Sequence, residues 1–150
     1  MKPLILLIAV FTLSAVVSKL STGDWHSIFS GNLAMGIMLC FTAFGHFKFT
    51  KGMTMMVPGH IPFKMELVYF TGVAEIVLGL ALFFPSLRYV AGVILIVLFI
   101  LLLPANIYAA IKNINYETAA YDGKGIGYLK IRIPMQVLFI VWVLYFSVRL

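Results

Sequence analysis

Residues 67–84 read LVYFTGVAEIVLGLALFF, eighteen residues with one charged side chain, Glu75, in their middle. Eighteen residues of helix rise about 27 Å, close to the thickness of a bilayer core. A carboxylate at that depth costs a few kcal/mol on insertion scales, so it is kept where it has a partner inside the protein or a task. Gly72, Glu75 and Gly79 are separated by three and four and therefore share one helix face. The two glycines let a neighbouring helix approach closely. Two outcomes follow: a small pocket with Glu75 at its floor, or tight packing with Glu75 bonded to the neighbour.

The rest of the chain places this stretch in a membrane protein. Its 150 residues are 63% hydrophobic and 11% charged, with mean hydropathy +1.07. Soluble domains run about 45–50% apolar and about 25% charged. Five apolar segments stand out, at Leu4–Lys19, Ile28–Phe47, Lys64–Phe84, Leu87–Ile111 and Ile131–Val148. The first is short. It reads either as a signal peptide, with Lys2 as the charged region and small residues over Ser14–Ser18, or as a helix, and we take it as a helix. Pro85-Ser86 predicts a tight reversal, which makes the third and fourth segments antiparallel neighbours, and Asp122-Gly123 predicts a turn in the polar stretch 112–130.

Five spans put connections on alternate sides. One side then carries Lys2, Lys48, Lys51, Lys64, Lys112, Lys124, Lys130 and Arg132, and the other Lys19, Arg88 and Arg149. The bias predicts a cytoplasmic amino terminus and an outer carboxyl terminus. We read the net charge of +6 as this topology signal. No recognition motif points to nucleic acid. The single cysteine, Cys40, cannot form an internal disulfide or a Cys-x-x-Cys pair and reads as packing.

Polar residues collect toward one leaflet. Glu75 lies about 16 Å in from Lys64, and Asn106 about 9 Å in from Lys112, at ~1.5 Å per residue. Gln136 is four positions after Arg132, and His46 is near the end of its segment, with Thr42 on the same face. Side chains of this kind turn inward and hydrogen-bond between helices. We expect Thr42, His46, Glu75, Asn106 and Gln136 to form one network, with Glu75 and His46 as the candidate catalytic pair and Gly72, Glu75, Gly79, Asn106, Gln136 and Thr42 as candidate ligand-binding residues. Interhelical glue without chemistry is the competing reading. Pro104 is expected to break the fourth helix and free a carbonyl near position 100, which Asn106 could satisfy. Met53, Met55, Met56 and His60 offer soft ligands, but an interfacial loop explains them better than a metal site does. Gly123-x-Gly125-x-Gly127 follows no strand and reads as a flexible connection. One histidine near a span does not supply the axial ligands of an intrinsic haem.

In their order and spacing, five short stretches resemble the DoxX-like family of small bacterial membrane proteins. They are Phe44-Gly45-His46-Phe47, Met56-Val57-Pro58-Gly59-His60-Ile61-Pro62, Gly72 to Gly79, Leu103-Pro104-Ala105-Asn106 and Arg132-Ile133-Pro134-Met135-Gln136. The resemblance covers about residues 31–148. It implies an all-α antiparallel four-helix transmembrane bundle over residues 27–150. Residues 1–26 would be an added helix and short outer loop, a departure from the family pattern. It further implies a bacterial cytoplasmic membrane. The family takes its name from a membrane subunit linked to a thiosulfate:quinone oxidoreductase. Two functions follow as expectations: a non-catalytic accessory subunit or assembly factor beside other membrane subunits and lipids, or a quinone-site subunit moving protons through Glu75, His46 and Asn106. Neither brings an intrinsic cofactor or metal; the second admits a quinone or lipid as ligand. Whether the chain is an enzyme stays open between them.

Overall fold

The computed structural model describes residues 1–149; Leu150, the last residue of the expected bundle, lies outside them. Helices are the regular structure of the chain, and no strand is formed among the described residues. Its helices are α1 (Lys2–Thr22), α2 (Ser27–Lys48), α3 (Thr50–Met56), α4 (Lys64–Ala81), α5 (Arg88–Ile111) and α6 (Leu129–Val143). A 3₁₀ turn at Gly125–Tyr128 leads into α6, and a π turn at Leu144–Val148 continues it.

Each of the five apolar segments forms a helix, and four are long and apolar enough to cross a membrane: Lys2–Thr22, Ser27–Lys48, Arg88–Ile111 and Gly125–Val148. The third of the five expected spans, α4, is not among these four. That helix has 18 residues and carries Lys64, Glu66 and Glu75, so length and composition alone do not place it among the four. Its acid needs a partner before the helix can sit in hydrocarbon.

The long helices share one core. α1 supplies Leu7, α2 supplies Ala34, Met35, Met38 and Leu39, and α4 supplies Leu78 and Leu82. α5 adds Ala91, Leu95 and Phe99, and α6 adds Met135, Phe139 and Val143. α2 lies between α1 and α4, while α5 packs on α6 and its π turn. Phe11 of α1 meets the Trp142 ring edge-on at 5.1 Å, and Ser14 Oγ lies 3.0 Å from Ser30 Oγ.

Pro104 does not end α5, contrary to the expected break; the helix runs from Arg88 through Pro104 to Ile111. A proline inside a membrane helix is tolerated where neighbouring groups satisfy the disturbed backbone. Here Gln136 Nε2 of α6 donates to the Phe99 carbonyl at 2.9 Å, one residue before the carbonyl that Pro104 leaves without its helical donor. The Met-rich stretch also differs from the expected loop. Thr50–Met56 is a short helix docked against α4 and α5, because Phe49 packs edge-on to Tyr116 at 5.8 Å and Gly52 is buried against the Tyr116 backbone.

Gly52 leaves no space for a methyl group, and the obstruction is backbone rather than a movable side chain. Gly52→Ala is therefore expected to undock the 112–124 connection from α3 at a cost of about 1–2 kcal/mol. Hydrogen exchange reads the effect. Amides of Asn115, Ala120 and Gly123, whose N–H groups donate within this connection, lose protection while those of α2 keep theirs. Unchanged exchange in the connection would refute the prediction.

One end of the molecule gathers the amino end of α1, α3 and the 112–128 connection. Lys2 Nζ is 3.6 Å from Glu117, beside the Tyr116 that covers Gly52. The opposite end joins the start of α2, the start of α5 and the π turn. Gly92 faces Ser147 and Val148, and Asn32 bonds to Phe146 and Ser147.

Candidate functional site

The contact between α2 and α4 carries the buried acid. Along α2, Asn32, Gly36, Leu39, Ala43 and His46 are spaced four, three, four and three, and all are buried. Along α4, Val68, Thr71, Gly72, Glu75, Leu78 and Gly79 form the buried stripe. Both spacings keep one helix face toward its neighbour. The two stripes meet where glycines remove side chains. The Gly36 carbonyl faces Gly79, and the body of His46 sits over Gly72. Of the two outcomes open for this face, the structure has tight packing rather than a pocket.

Glu75 is 4% exposed and reaches two residues of α2. Thr42 Oγ1 donates to Glu75 Oε2 at 2.7 Å, with the Leu39 carbonyl 3.0 Å away as its alternative acceptor. Glu75 Oε1 lies 3.4 Å from His46 Nε2, within ion-pair reach. The other imidazole nitrogen is also engaged. His46 Nδ1 lies 3.0 Å from the Val68 carbonyl and 3.1 Å from Thr71 Oγ1. A carbonyl only accepts, so Nδ1 carries a proton. The Thr71 hydroxyl in turn donates into its own helix, to the carbonyls of Leu67 and Val68, each at 3.0 Å.

Fixing Nδ1–H leaves one proton to be placed between Nε2 and Oε1. On nitrogen it makes an imidazolium–carboxylate pair, and on oxygen a neutral acid beside a neutral ring. The backbone of α4 thus sets the tautomer of a histidine on α2, as a second partner does for histidines in many sites. The arrangement can hold a proton between two helices and can lock their rotation. Each buried polar side-chain atom among the described residues has a partner.

The expected single network is divided. Thr42, His46, Gly72, Glu75 and Gly79 come together, joined by Thr71. Asn106 and Gln136 do not join them. Asn106 Nδ2 donates to the Leu102 carbonyl of its own helix at 3.1 Å, and its Oδ1 accepts from Arg132 Nε at 3.3 Å. Gln136 is spent on the Phe99 carbonyl. Both sit on the faces where α5 and α6 meet, turned to each other's helices rather than to α4.

A second polar cluster at the opposite end was not anticipated. Asn32 is 1% exposed; its Nδ2 donates to the Ile28 and Phe146 carbonyls, both at 2.9 Å, and its Oδ1 accepts from Ser147 Oγ at 2.7 Å. Trp142 Nε1 donates to the Gly31 carbonyl at 3.0 Å. The signal available was periodicity, since fourteen residues, four helical turns, separate Asn32 from His46. Among the described residues no group of three or more His, Cys, Asp or Glu side chains is placed to hold a metal ion.

No curated protein and no solved structure matches the chain. A family model does match, over residues 35–147, from the middle of α2 into the π turn, and so includes the whole Thr42–His46–Glu75 cluster. The chain belongs to the family described as a domain of unknown function, DUF8561.

Proposed function

We propose that the chain is an integral membrane protein that serves as a non-catalytic accessory subunit or assembly factor of a larger membrane complex. In this reading α2, α4, α5 and α6 are an antiparallel four-helix transmembrane bundle of the DoxX-like kind, and α1 is an additional transmembrane helix. The bundle sits in a bacterial inner membrane with its amino terminus in the cytoplasm. The charge bias supports that orientation, with eight basic residues at the connections of one side against three at the other. The observation that carries the functional reading is the closure of the Glu75 site. The acid is matched by His46 and Thr42, and α2 fills the face that Gly72 and Gly79 leave open. A polar group spent on its neighbours in this way is interhelical glue. Outside the core, α1 presents Ile5, Ile8, Leu13 and Leu20 as an exposed apolar face that lipid or another subunit can cover.

Native gel migration in mild detergent tests this. A band far above 16.7 kDa plus its detergent, with a co-purifying membrane protein, supports the subunit reading. Migration as a solitary chain counts against it.

A second reading is favoured by one observation, the 3.4 Å approach of His46 Nε2 to Glu75 Oε1, a distance at which the two groups can share a proton. In a quinone-linked subunit that proton could be exchanged with a quinol. Asn106 drops out of this mechanism because it is bonded to Arg132. Two variants separate the readings: turnover lost in Glu75→Gln with assembly intact selects proton chemistry, whereas assembly kept in Glu75→Gln and lost in Glu75→Ala selects the structural lock.

A further inference from the structure

Arg132 occupies an unusual position on the basic end of the molecule. It lies seven residues into the last apolar segment, Gly125–Val148, where a cation must reach back to the headgroups. Its guanidinium is aimed rather than loose. Nε donates to Asn106 Oδ1 at 3.3 Å, and Asn106 is itself held by its bond to the Leu102 carbonyl. Among the described residues no carboxylate pairs with Arg132 or with Lys124, and Glu117, the acid of the adjoining connection, is engaged by Lys2 at 3.6 Å. Asp122 accepts from Thr118 within its own loop at 2.8 Å.

Arg132 and Lys124 line one cavity, of about 30 Å³, together with Asn106, Tyr116, Gly125 and Tyr128. At roughly 10–15 Å³ per water, that space takes two oxygen atoms. Every polar side chain around it can donate a hydrogen bond. Burial, with Tyr128 and Glu117 nearby, holds the Tyr116 phenol above its ordinary range, so it stays a neutral O–H, which donates to Glu117 Oε1 at 3.5 Å and is open to exchange that partner for a ligand oxygen. Further along the helix that carries Arg132, one face of α6 is apolar and exposed at Ile133, Val137 and Val141, spaced four and four. Two cations, phenol donors, room for two oxygens and an adjoining greasy face match one chemistry. It is the phosphodiester of an anionic lipid, whose two non-bridging oxygens enter while its acyl chains run down α6.

We propose that the cavity between α5, α6 and the 112–128 connection is a binding site for the phosphodiester of an anionic membrane lipid, with Arg132 and Lys124 as its ligands and Asn106 as the residue that positions Arg132. Free inorganic phosphate shares the headgroup chemistry but makes no use of the apolar face. The site is separate from the Glu75 cluster and stands whether or not the functional reading above holds.

The test is native mass spectrometry of the full chain released from nanodiscs of phosphatidylcholine with phosphatidylglycerol. The expected result is preferential retention of phosphatidylglycerol. A basic residue near a membrane surface contributes about 1 kcal/mol toward anionic lipid, so Lys124→Gln and Arg132→Gln should each lower the preference about fivefold. Lys124 is exposed and without a protein partner, so its variant reads the site even if Arg132→Gln folds poorly. Lys51→Gln, an exposed lysine that does not line the cavity, should leave the preference unchanged. Equal retention of both lipids, or an equal loss in Lys51→Gln and Lys124→Gln, overturns the site. Displacement of the retained lipid by inorganic phosphate overturns its assignment to a lipid.

Discussion

Glu75→Ala should destabilise the chain by about 3 kcal/mol, while Glu75→Gln should cost no more than about 1 kcal/mol. Alanine removes two partners at once. It strands His46 Nε2 and leaves Thr42 Oγ1 with only the carbonyl of its own helix, both in a dry interface. A buried group left unsatisfied costs about 1–3 kcal/mol, and the stranded ring nitrogen together with the space left by the truncated side chain puts the estimate at the top of that range. Glutamine keeps the shape and both contacts. Its amide oxygen accepts from Thr42, and its NH₂ donates to Nε2, which is free to accept because Nδ1 holds the ring proton against the Val68 carbonyl. Reversible unfolding in mixed micelles, followed by tryptophan fluorescence, measures the difference. A double-mutant cycle with His46→Leu then weighs the pair itself. Hydrogen bonds between neutral groups in membrane proteins average about 0.6 kcal/mol by such cycles, so a coupling well above that marks the imidazolium–carboxylate form. Replacing both residues by leucine should cost less than the sum of the single changes, because no buried polar group is then left alone. Equal losses for Glu75→Ala and Glu75→Gln would show that the contacts drawn around Glu75 contribute nothing.

How much of this was legible in the sequence depends on which question is asked of a helix. Which residues share a face is local and follows from 3.6 residues per turn. The Gly72, Glu75 and Gly79 stripe and the Thr42 and His46 pair were therefore readable, and the structure sets them against each other. Which faces meet depends on how each helix is rotated about its axis, and that is decided by the packing of the whole core. Asn106 and Gln136 show the limit. Their distances from the helix ends placed them at a plausible depth, but rotation turns them toward α5 and α6 rather than toward α4. Arg132 as the partner of Asn106 was hidden because a basic residue near a helix end reads first as a topology signal. The Asn32 cluster was hidden for another reason. Its acceptors include the backbone carbonyl of Phe146, in a π turn that no side-chain pattern announces. Local widening of a helix arises from tertiary fit, and such turns recur where a side chain inserts into the backbone ladder.

Gly36→Ala and Gly45→Ala, the same substitution nine residues apart in α2, should shift stability in opposite directions. Propensity alone favours alanine over glycine inside a helix by about 1 kcal/mol, so any cost must come from packing. At Gly45 a methyl group would stand 3.5 Å from the end of the flexible Met53 side chain, an ordinary contact. That variant should be neutral or stabilised by up to about 1 kcal/mol. At Gly36 the methyl would stand 2.7 Å from the Gly79 carbonyl oxygen and 2.6 Å from the Phe83 ring. The ring can turn away; the carbonyl belongs to the α4 backbone and cannot. The two helices must separate, and overpacking of this kind costs about 1–3 kcal/mol, near the top of the range where backbone opposes backbone. Separation also draws Thr42 and His46 away from Glu75, since all five residues lie on the same contact. The Gly36 and Glu75 variants should therefore be non-additive, with Gly36→Ala costing less in the Glu75→Ala background than alone. Unfolding of the two single variants and the double variant in the same micelles decides it. A stabilised Gly36→Ala would mean that α2 and α4 do not touch through their glycines, and the Glu75 cluster would lose the close approach it requires.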